Sequence, residues 1–200
     1  MTDLARRAAG VTAAVAALVL AAAPALAEGV TRDDQGSDVY TWDTDSQDRT
    51  PTPSTKTTNV AVQEVRVAHT RDAFVVRTQM RSLVRNGDYF YLNAIAQRTD
   101  GTTYSAFLSV RSSDRNGATV LQSPAGGSTV ACRGMTHDVD YARDRLRLSV
   151  PRSCLGNPTT FRAYGAVVNY PAGSVRGRIH VDQLLSSTSS GATTDFLDRG

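Results

Sequence analysis

Aromatic and basic side chains in the middle of the chain have spacings typical of a ligand-binding surface. Tyr89 and Tyr91 alternate with apolar residues in one segment, and Phe107 has the same outward phase in the next segment. Aromatic rings beside guanidinium groups are suited to binding sugars or polyanions. The alternative is that loops or the N-terminal segment cover this face, because scattered aromatic residues are common on protein surfaces. The predicted ligand platform comprises Tyr89, Tyr91, Phe107, Arg77, Arg81 and Trp42.

Six aspartates lie between positions 33 and 48, and three of them, Asp43, Asp45 and Asp48, are candidate calcium ligands. Calcium prefers hard oxygen ligands, which carboxylates at alternate positions can supply. The segment lacks the glycine turn and the distal glutamate of an EF-hand loop. A solvated acidic arm that holds no ion is therefore the alternative. We expect no cofactor and no calcium-specific stabilisation.

Each histidine has an aspartate within three positions, which raises hydrolase chemistry as an alternative function. The pairs are His69 with Asp72, His137 with Asp138, and His180 with Asp182. A serine hydrolase also needs a nucleophile on a sharp turn, and the chain has no Gly-x-Ser-x-Gly run. Glycosidase chemistry would depend on aspartates, because Glu64 is the only glutamate after Glu28. No catalytic residue is predicted.

Cys132 and Cys154 are the two cysteines of the chain, and in an oxidising compartment they predict one disulfide. Closing a loop of this length would stabilise the fold by roughly 3 kcal/mol in the chain-entropy model. Metal coordination by Cys132, His137 and Cys154 is the alternative. That alternative requires a fourth ligand and reduced thiols.

The first 27 residues have the pattern of a signal peptide. Arg6 and Arg7 supply a positive segment, residues 11–23 are apolar, and residues 24–27 are Pro-Ala-Leu-Ala, with small residues where signal peptidase cleaves. The apolar run is shorter than the roughly 20 residues that span a bilayer. We expect cleavage after Ala27, export and no transmembrane anchor. The mild net charge of +3 does not favour nucleic acid as a partner.

From position 60 onward, short segments with alternating apolar residues are separated by turn signals. The dipeptides at 86–87, 100–101 and 116–117 are Asn-Gly or Asp-Gly, which are typical of turns. Such spacing predicts an all-β chain, an antiparallel β-sandwich of two sheets with about 8–10 strands. The predicted organisation is a signal peptide at 1–27, an extended N-terminal arm at 28–59, the sandwich at 60–185 and a flexible tail at 186–200.

Two segments carry a resemblance to a group of proteins. The run at 150–156, Val-Pro-Arg-Ser-Cys-Leu-Gly, and the run at 132–135, Cys-Arg-Gly-Met, resemble secreted actinobacterial β-sandwich proteins. The general shape of that group is similar to carbohydrate-binding-module and DOMON sandwiches. Such modules often hold a sugar between tryptophans, whereas this chain has Trp42 alone. The resemblance implies export and a sandwich fold, and it assigns no activity.

These features together predict a secreted, monomeric, non-catalytic binding or interaction module that acts outside the cell. A carbohydrate or a cell-envelope component is the candidate ligand. The alternative is a secreted hydrolase with an aspartate- or histidine-based site. A cleft in which histidine and aspartate converge would favour the hydrolase, and a flat aromatic face would favour the binding module.

Overall fold

The computed structural model describes residues 28–34, 38–45, 50–123, 127–172, 177–185 and 193–199. Within these ranges the chain forms fourteen strands and one 3-10 helix, and it has no α-helix. The strands are β1 (Glu28–Asp33), β2 (Tyr40–Asp43), β3 (Thr52–Pro53), β4 (Val62–His69), β5 (Ala73–Met80), β6 (Tyr89–Arg98), β7 (Thr103–Arg111), β8 (Asp114–Gln122), β9 (Thr129–Val130), β10 (Thr136–Asp140), β11 (Arg145–Pro151), β12 (Thr160–Tyr170), β13 (Arg178–Leu184) and β14 (Leu197–Asp198). The predicted signal peptide at 1–27 lies outside the described residues. In the part of the chain that the structure describes, no helix has the length and apolar character to cross a membrane.

The strands form two sheets, and every ladder between named strands is antiparallel. The smaller sheet has five strands in the order β1-β4-β5-β11-β10. The larger sheet has nine, in the order β3-β2-β13-β12-β6-β7-β8-β9, with β14 beside β12. The predicted antiparallel β-sandwich is therefore confirmed.

One hydrophobic core fills the space between the sheets, because apolar residues occupy every second position of the long strands. Phe90 and Leu92 on β6 are buried against Leu146 and Leu148 on β11 as members of the same cluster. Burying each such side chain contributes about 1.5–3 kcal/mol, offset by the entropy lost on ordering it. A register slip of one residue would turn this apolar face toward water. The register that buries the core therefore also fixes which side chains face outward.

The predicted disulfide between Cys132 and Cys154 is present, with Cα atoms 5.6 Å apart. It ties the segment before β10 to the 3-10 helix η1 (Arg152–Leu155). This helix ends at Gly156, whose φ of 76° lies in the left-handed region that glycine adopts without steric cost. Because the two sulfurs are bonded to each other, the alternative metal site with His137 is wrong.

The N-terminal segment 28–59 differs from the predicted extended arm because its strands complete both sheets. β1 pairs with β4 at the edge of the smaller sheet, with Glu28 opposite His69. β2 pairs with β13 in the larger sheet, with Tyr40 opposite Val181. Most β1 side chains are exposed, so backbone hydrogen bonds to β4 hold this strand in the sheet. A polar sequence of this kind lacks the apolar alternation that predicts a strand.

The C-terminal residues 193–199 dock against the sandwich and do not form the predicted flexible tail. β14 pairs with the start of β12, with Leu197 opposite Phe161. Leu197 is buried, and its carbonyl oxygen accepts a hydrogen bond from His69 Nδ1 at 3.1 Å. Thr194 is buried as well, and its Oγ1 accepts a hydrogen bond from the backbone N–H of Ala163 at 2.8 Å, so two buried side chains and a short backbone ladder hold this segment. Residues 186–192 and 200, also assigned to the tail, lie outside the described ranges.

Candidate functional site

Four aromatic side chains lie together on the outer face of the larger sheet. Tyr89 and Tyr91 lie on β6, Phe107 lies on β7, and Tyr170 is the last residue of β12. Each alternates with a buried residue of its strand, so its ring points away from the core. We name these four residues the aromatic platform. The structure thus brings together the three aromatic residues of the predicted ligand platform that come from neighbouring strands.

Ring contacts join all four members of the platform. Tyr89 stacks on Tyr170 with ring centroids 5.2 Å apart and an interplanar angle of 26°. Tyr91 contacts Tyr89 at 6.0 Å and Tyr170 at 6.2 Å, and it meets Phe107 at 5.8 Å. Contacts of this kind contribute about 0.5–1.5 kcal/mol each beyond the area they bury. Because the rings support one another, a ligand would meet a preformed surface.

A positive charge and hydroxyl groups accompany the rings. The guanidinium carbon of Arg111 lies 5.1 Å from the centroid of the Tyr89 ring. Burial raises the pKa of Tyr91, and the neighbouring Tyr170 adds to the shift. A hydrogen bond between the side chains of Tyr91 and Tyr170 is part of this shift, so the two hydroxyl groups lie together on the platform. The platform offers ring faces, hydroxyl groups and one fixed guanidinium.

Sequence reasoning missed Tyr170 and Arg111. Tyr170 lies opposite Tyr89 in the ladder between β12 and β6, and such a long-range pairing leaves no local signal. Arg111 is different, because it follows Phe107 by four positions on the same strand. Period-two alternation therefore gives it the outward phase of Phe107, and the sequence could have identified it.

Trp42 lies on the same outer face but beyond the ring contacts of the platform. Across the sheet, Tyr91 pairs with Val168, and Val168 pairs with Val181. Val181 in turn pairs with Tyr40, two positions before Trp42, and directly paired residues point to the same side of a sheet. Three strand spacings separate Tyr91 from Tyr40, which is about 14 Å. An extended ligand could therefore contact both the platform and Trp42.

Arg77 and Arg81 do not belong to the platform, contrary to the prediction. Arg77 lies on β5 in the smaller sheet, where it is flanked across the strands by Arg66 and Arg147. Arg81 follows β5, and its backbone N–H donates to the carbonyl oxygen of Ala61. Alternation along a strand separates inward from outward positions, but it does not reveal which sheet the strand joins. Both arginines therefore lie with the smaller sheet, on the side of the sandwich away from the platform.

A buried carboxylate holds the two strand ends that carry the platform. Asp88, which precedes Tyr89, is 3% exposed. Its Oδ2 accepts hydrogen bonds from Lys56 Nζ at 3.0 Å and from Asn169 Nδ2 at 3.1 Å. Its Oδ1 accepts one from the backbone N–H of Ala172 at 2.9 Å. Burial alone would raise the pKa of Asp88, but these hydrogen bonds outweigh burial and lower the pKa to about 2. A charged Asp88 therefore ties the start of β6 to the end of β12.

The histidines do not pair with the aspartates that neighbour them in sequence. His69 is bonded to the tail, as described above, and His137 and Asp138 are adjacent on β10 and so point to opposite faces. His180 Nδ1 lies 2.8 Å from Ser54 Oγ and 3.1 Å from Thr41 Oγ1. Burial lowers the pKa of His180, and Lys56 and Arg178 lower it further. Within the described ranges, the His180 ring is hydrogen-bonded to hydroxyl groups and to no carboxylate.

The predicted calcium ligands lie at the surface. Asp43 and Asp45 are exposed, and the backbone N–H of Asp45 donates to Asp43 Oδ1 at 3.1 Å. This hydrogen bond closes a local turn. Asp48 lies outside the described residues.

A different set of carboxylates converges. Asp34, Asp38 and Asp182 each contribute an oxygen, and these oxygens all lie within 4.8 Å of one another. Asp182 lies on β13 and is fully buried, with Oδ2 accepting a hydrogen bond from the backbone N–H of Val62 at 2.7 Å. These are the carboxylates that the structure places in reach of one cation.

Comparison with protein-family models, with curated proteins and with solved structures gives no match for this chain.

Proposed function

We propose that this chain is a secreted, non-catalytic binding module that holds a carbohydrate on its aromatic platform. One observation carries the proposal: four mutually supported aromatic rings, with neighbouring centroids 5.2–6.2 Å apart, lie on the outer face of a rigid sheet. Sugar rings present apolar C–H faces that pack against aromatic rings, and their hydroxyls bond to polar groups around the rings. Tyr170 is 36% exposed, so a ligand can reach the platform.

The shape of the platform favours an extended ligand lying flat on the sheet. The rings come from β12, β6 and β7, which are adjacent in the larger sheet and together span about 10 Å. The same face continues across β13 and β2 to Tyr40 and Trp42. A polysaccharide chain that crosses the strands would contact the platform first and then this second aromatic pair. Strands β1, β2 and β3 of the segment 28–59 pair at the margins of the two sheets, away from β12, β6 and β7.

Two features support action outside the cell. The signal-peptide pattern at 1–27 predicts export, and the Cys132–Cys154 disulfide is of the kind that persists in oxidising compartments. Insoluble cell-wall glycans and polysaccharides are abundant there. A carbohydrate or other envelope component therefore remains the ligand class that best suits both the compartment and the platform.

Sedimentation with insoluble glycans tests the proposal. The purified exported chain is mixed separately with peptidoglycan, chitin and cellulose, and the bound fraction is measured as a function of glycan concentration. We expect saturable binding to at least one of them. Replacing Tyr170 with alanine should weaken this binding about tenfold, which corresponds to about 1.4 kcal/mol. Tyr170→Phe, which keeps the ring, should retain most of the affinity.

Phe196 supplies the matched control. It is 45% exposed and has a guanidinium, that of Arg162, 5.6 Å from its ring, yet it makes no ring contact with the platform. Phe196→Ala should bind like the wild type. Absence of binding to all three glycans, or equal loss in Phe196→Ala and Tyr170→Ala, would show that the platform is not a carbohydrate site.

A hydrolase is the second candidate, and one contact favours it. Ser54 Oγ lies 2.8 Å from His180 Nδ1, a distance suitable for a nucleophile and its base. In a complete triad a carboxylate holds the other ring nitrogen, whereas Asp182 accepts a hydrogen bond from Val62 instead. Hydrolysis of p-nitrophenyl acetate that is lost in Ser54→Ala would support this candidate, and a rate equal in both proteins would remove it.

A further inference from the structure

The three converging aspartates lie close enough together for a single calcium ion to contact all of them. Calcium binds oxygen ligands at 2.3–2.6 Å, so oxygens on opposite sides of one ion lie about 5 Å apart. One oxygen each from Asp34, Asp38 and Asp182 lies within 4.8 Å of the other two. A single ion can therefore contact all three carboxylates. Water and carbonyl oxygens commonly complete the 6–8 ligands that calcium takes.

Buried oxygens without hydrogen-bond donors point to the same conclusion independently of the spacing. Asp182 has no exposed surface. The backbone N–H of Val62 occupies its Oδ2, while its Oδ1 is buried and accepts no hydrogen bond. Asp38 Oδ1 is also buried with no N–H donor, and the Asp38 carboxyl is a side-chain hydrogen-bond partner of Asp182. Leaving buried carboxylate oxygens unpaired is costly unless a cation compensates them.

The carboxylates of Asp38 and Asp182 have no ion pair among the described residues. Among the described basic residues, none lies within 4 Å of the carboxylates of Asp38 or Asp182. Val39, Val60 and Ala61 form a small buried apolar cluster next to the acidic positions. Burial and the nearby Asp34 and Asp38 raise the pKa of Asp182 to about 8.

The backbone places the three ligands at the junction of the two sheets. The N–H of Asp34 donates to the carbonyl oxygen of Gln63 on β4 at 2.7 Å, which fixes Asp34 to the smaller sheet. Asp38 lies two residues before the start of β2, and Asp182 lies on the partner strand β13 in the larger sheet. We propose that Asp34, Asp38 and Asp182 bind one calcium ion that joins the two sheets where the chain crosses between them. An all-oxygen, all-carboxylate set suits a hard cation rather than zinc.

Thermal unfolding of the full exported chain tests this proposal. The melting temperature is measured in chelator, in millimolar calcium chloride and in equal magnesium chloride. Binding to the native state alone should raise the melting temperature by about 5 °C when free calcium is 100-fold above its Kd. Magnesium should raise it much less, because it demands near-ideal octahedral geometry and gives up its bound water reluctantly. Calorimetric titration with calcium chloride should give one ion per chain.

Three variants decide which aspartates are involved. Asp182→Asn and, as an independent change at a half-buried position, Asp38→Asn should abolish the calcium-specific rise and the calorimetric signal. Asp43→Asn is the matched control, because Asp43 belongs to the same acidic segment but is exposed, and it should respond to calcium like the wild type. A wild-type chain without a calcium-specific rise overturns the proposal. A rise that survives in Asp182→Asn and Asp38→Asn, or that is lost in Asp43→Asn, overturns it as well.

Discussion

Asp88 and Asp182 are both buried, at 3% and 0% exposure, yet the fold treats them in opposite ways. Asp88 accepts hydrogen bonds from a lysine, an asparagine and a backbone N–H, and its pKa falls to about 2. Asp182 accepts one backbone N–H and lies beside two other carboxylates, and its pKa rises to about 8. Burial is common to both, so the number and charge of the neighbouring groups decide the outcome.

The difference separates a structural carboxylate from a candidate site. Both carboxylate oxygens of Asp88 accept hydrogen bonds from the protein. Asp88 thereby ties together the strand ends that carry Tyr89 and Tyr170. Asp182 lacks a positive partner among the described residues, and this is the situation in which a buried acid marks a functional position. The following predictions test this contrast.

Replacing Asp88 with alanine should give the largest effect. The change leaves the Lys56 ammonium and the Asn169 amide without their buried acceptor, and such a loss costs about 3 kcal/mol. Urea unfolding at neutral pH measures the free energy. Asp100→Ala is the control, because Asp100 also forms an ion pair, with Arg98, but is exposed. The unfolding midpoint of the Asp100→Ala variant should equal that of the wild type. Equal midpoints for the two variants would contradict the structural role of Asp88.

Acid should weaken the wild type through Asp88 by about 2 kcal/mol. The folded pKa of about 2 lies below the ordinary value of 3.8. The contribution of Asp88 is therefore complete above pH 3.8 and is lost as the pH falls toward about 2. Urea unfolding of the wild type and of Asp88→Asn across this range isolates the contribution, since all other acids are shared. Parallel pH profiles for the two proteins would refute the lowered pKa.

Asp182→Asn should raise the free energy of unfolding when calcium is removed, whereas substitutions of Asp88 lower it. Asparagine keeps an oxygen for the N–H of Val62 and stays neutral when the chain folds, whereas Asp182, with a folded pKa of about 8, must take up a proton on folding at neutral pH. In chelator at neutral pH we expect the free energy of unfolding to rise by about 1 kcal/mol, while Asp88→Asn under the same conditions loses stability. A loss of stability in both variants would show that the two buried acids both stabilise the fold, and it would contradict the contrast between them.

Lys56→Met should give the smallest effect, a loss of about 0.5–1 kcal/mol. The side chain of Lys56 is 24% exposed, and Asn169 and Ala172 continue to donate to Asp88 after the change. The pKa of Asp88 should rise, because one of the groups that lowers it is gone. Carboxyl NMR titration measures this shift, and an unchanged pKa would show that the lysine contributes nothing.

Local sequence patterns predicted the all-β class. The alternating apolar residues of β6 and β7 show why, because alternation and turn residues act within a few positions. The Asn116-Gly117 turn is an instructive exception, since β8 continues through it. Gly117 has a φ of 89° and lies at an irregularity in the register between β7 and β8. A positive φ suits a bulge as well as a turn, so the dipeptide alone cannot distinguish them.

The candidate sites were less accessible than the strands. Tyr89, Tyr91 and Phe107 share an outward phase that alternation along their strands reveals. Arg77 shows the limit of alternation: it also points outward, but its strand β5 belongs to the smaller sheet. β13 carries both His180 and Asp182. Its alternation is interrupted by those polar residues, which face the core side and weaken the apolar pattern.

By itself, the sequence determined the all-β class, the disulfide and the outward phase of the platform residues. Each of these depends on local periodicity or on a single pair of like residues. Only the tertiary structure decided that Tyr170 joins the platform, that the N-terminal segment completes both sheets, and that Asp34 and Asp38 meet Asp182. Those contacts join positions far apart in the chain, and strand order, which no local pattern encodes, brings them together.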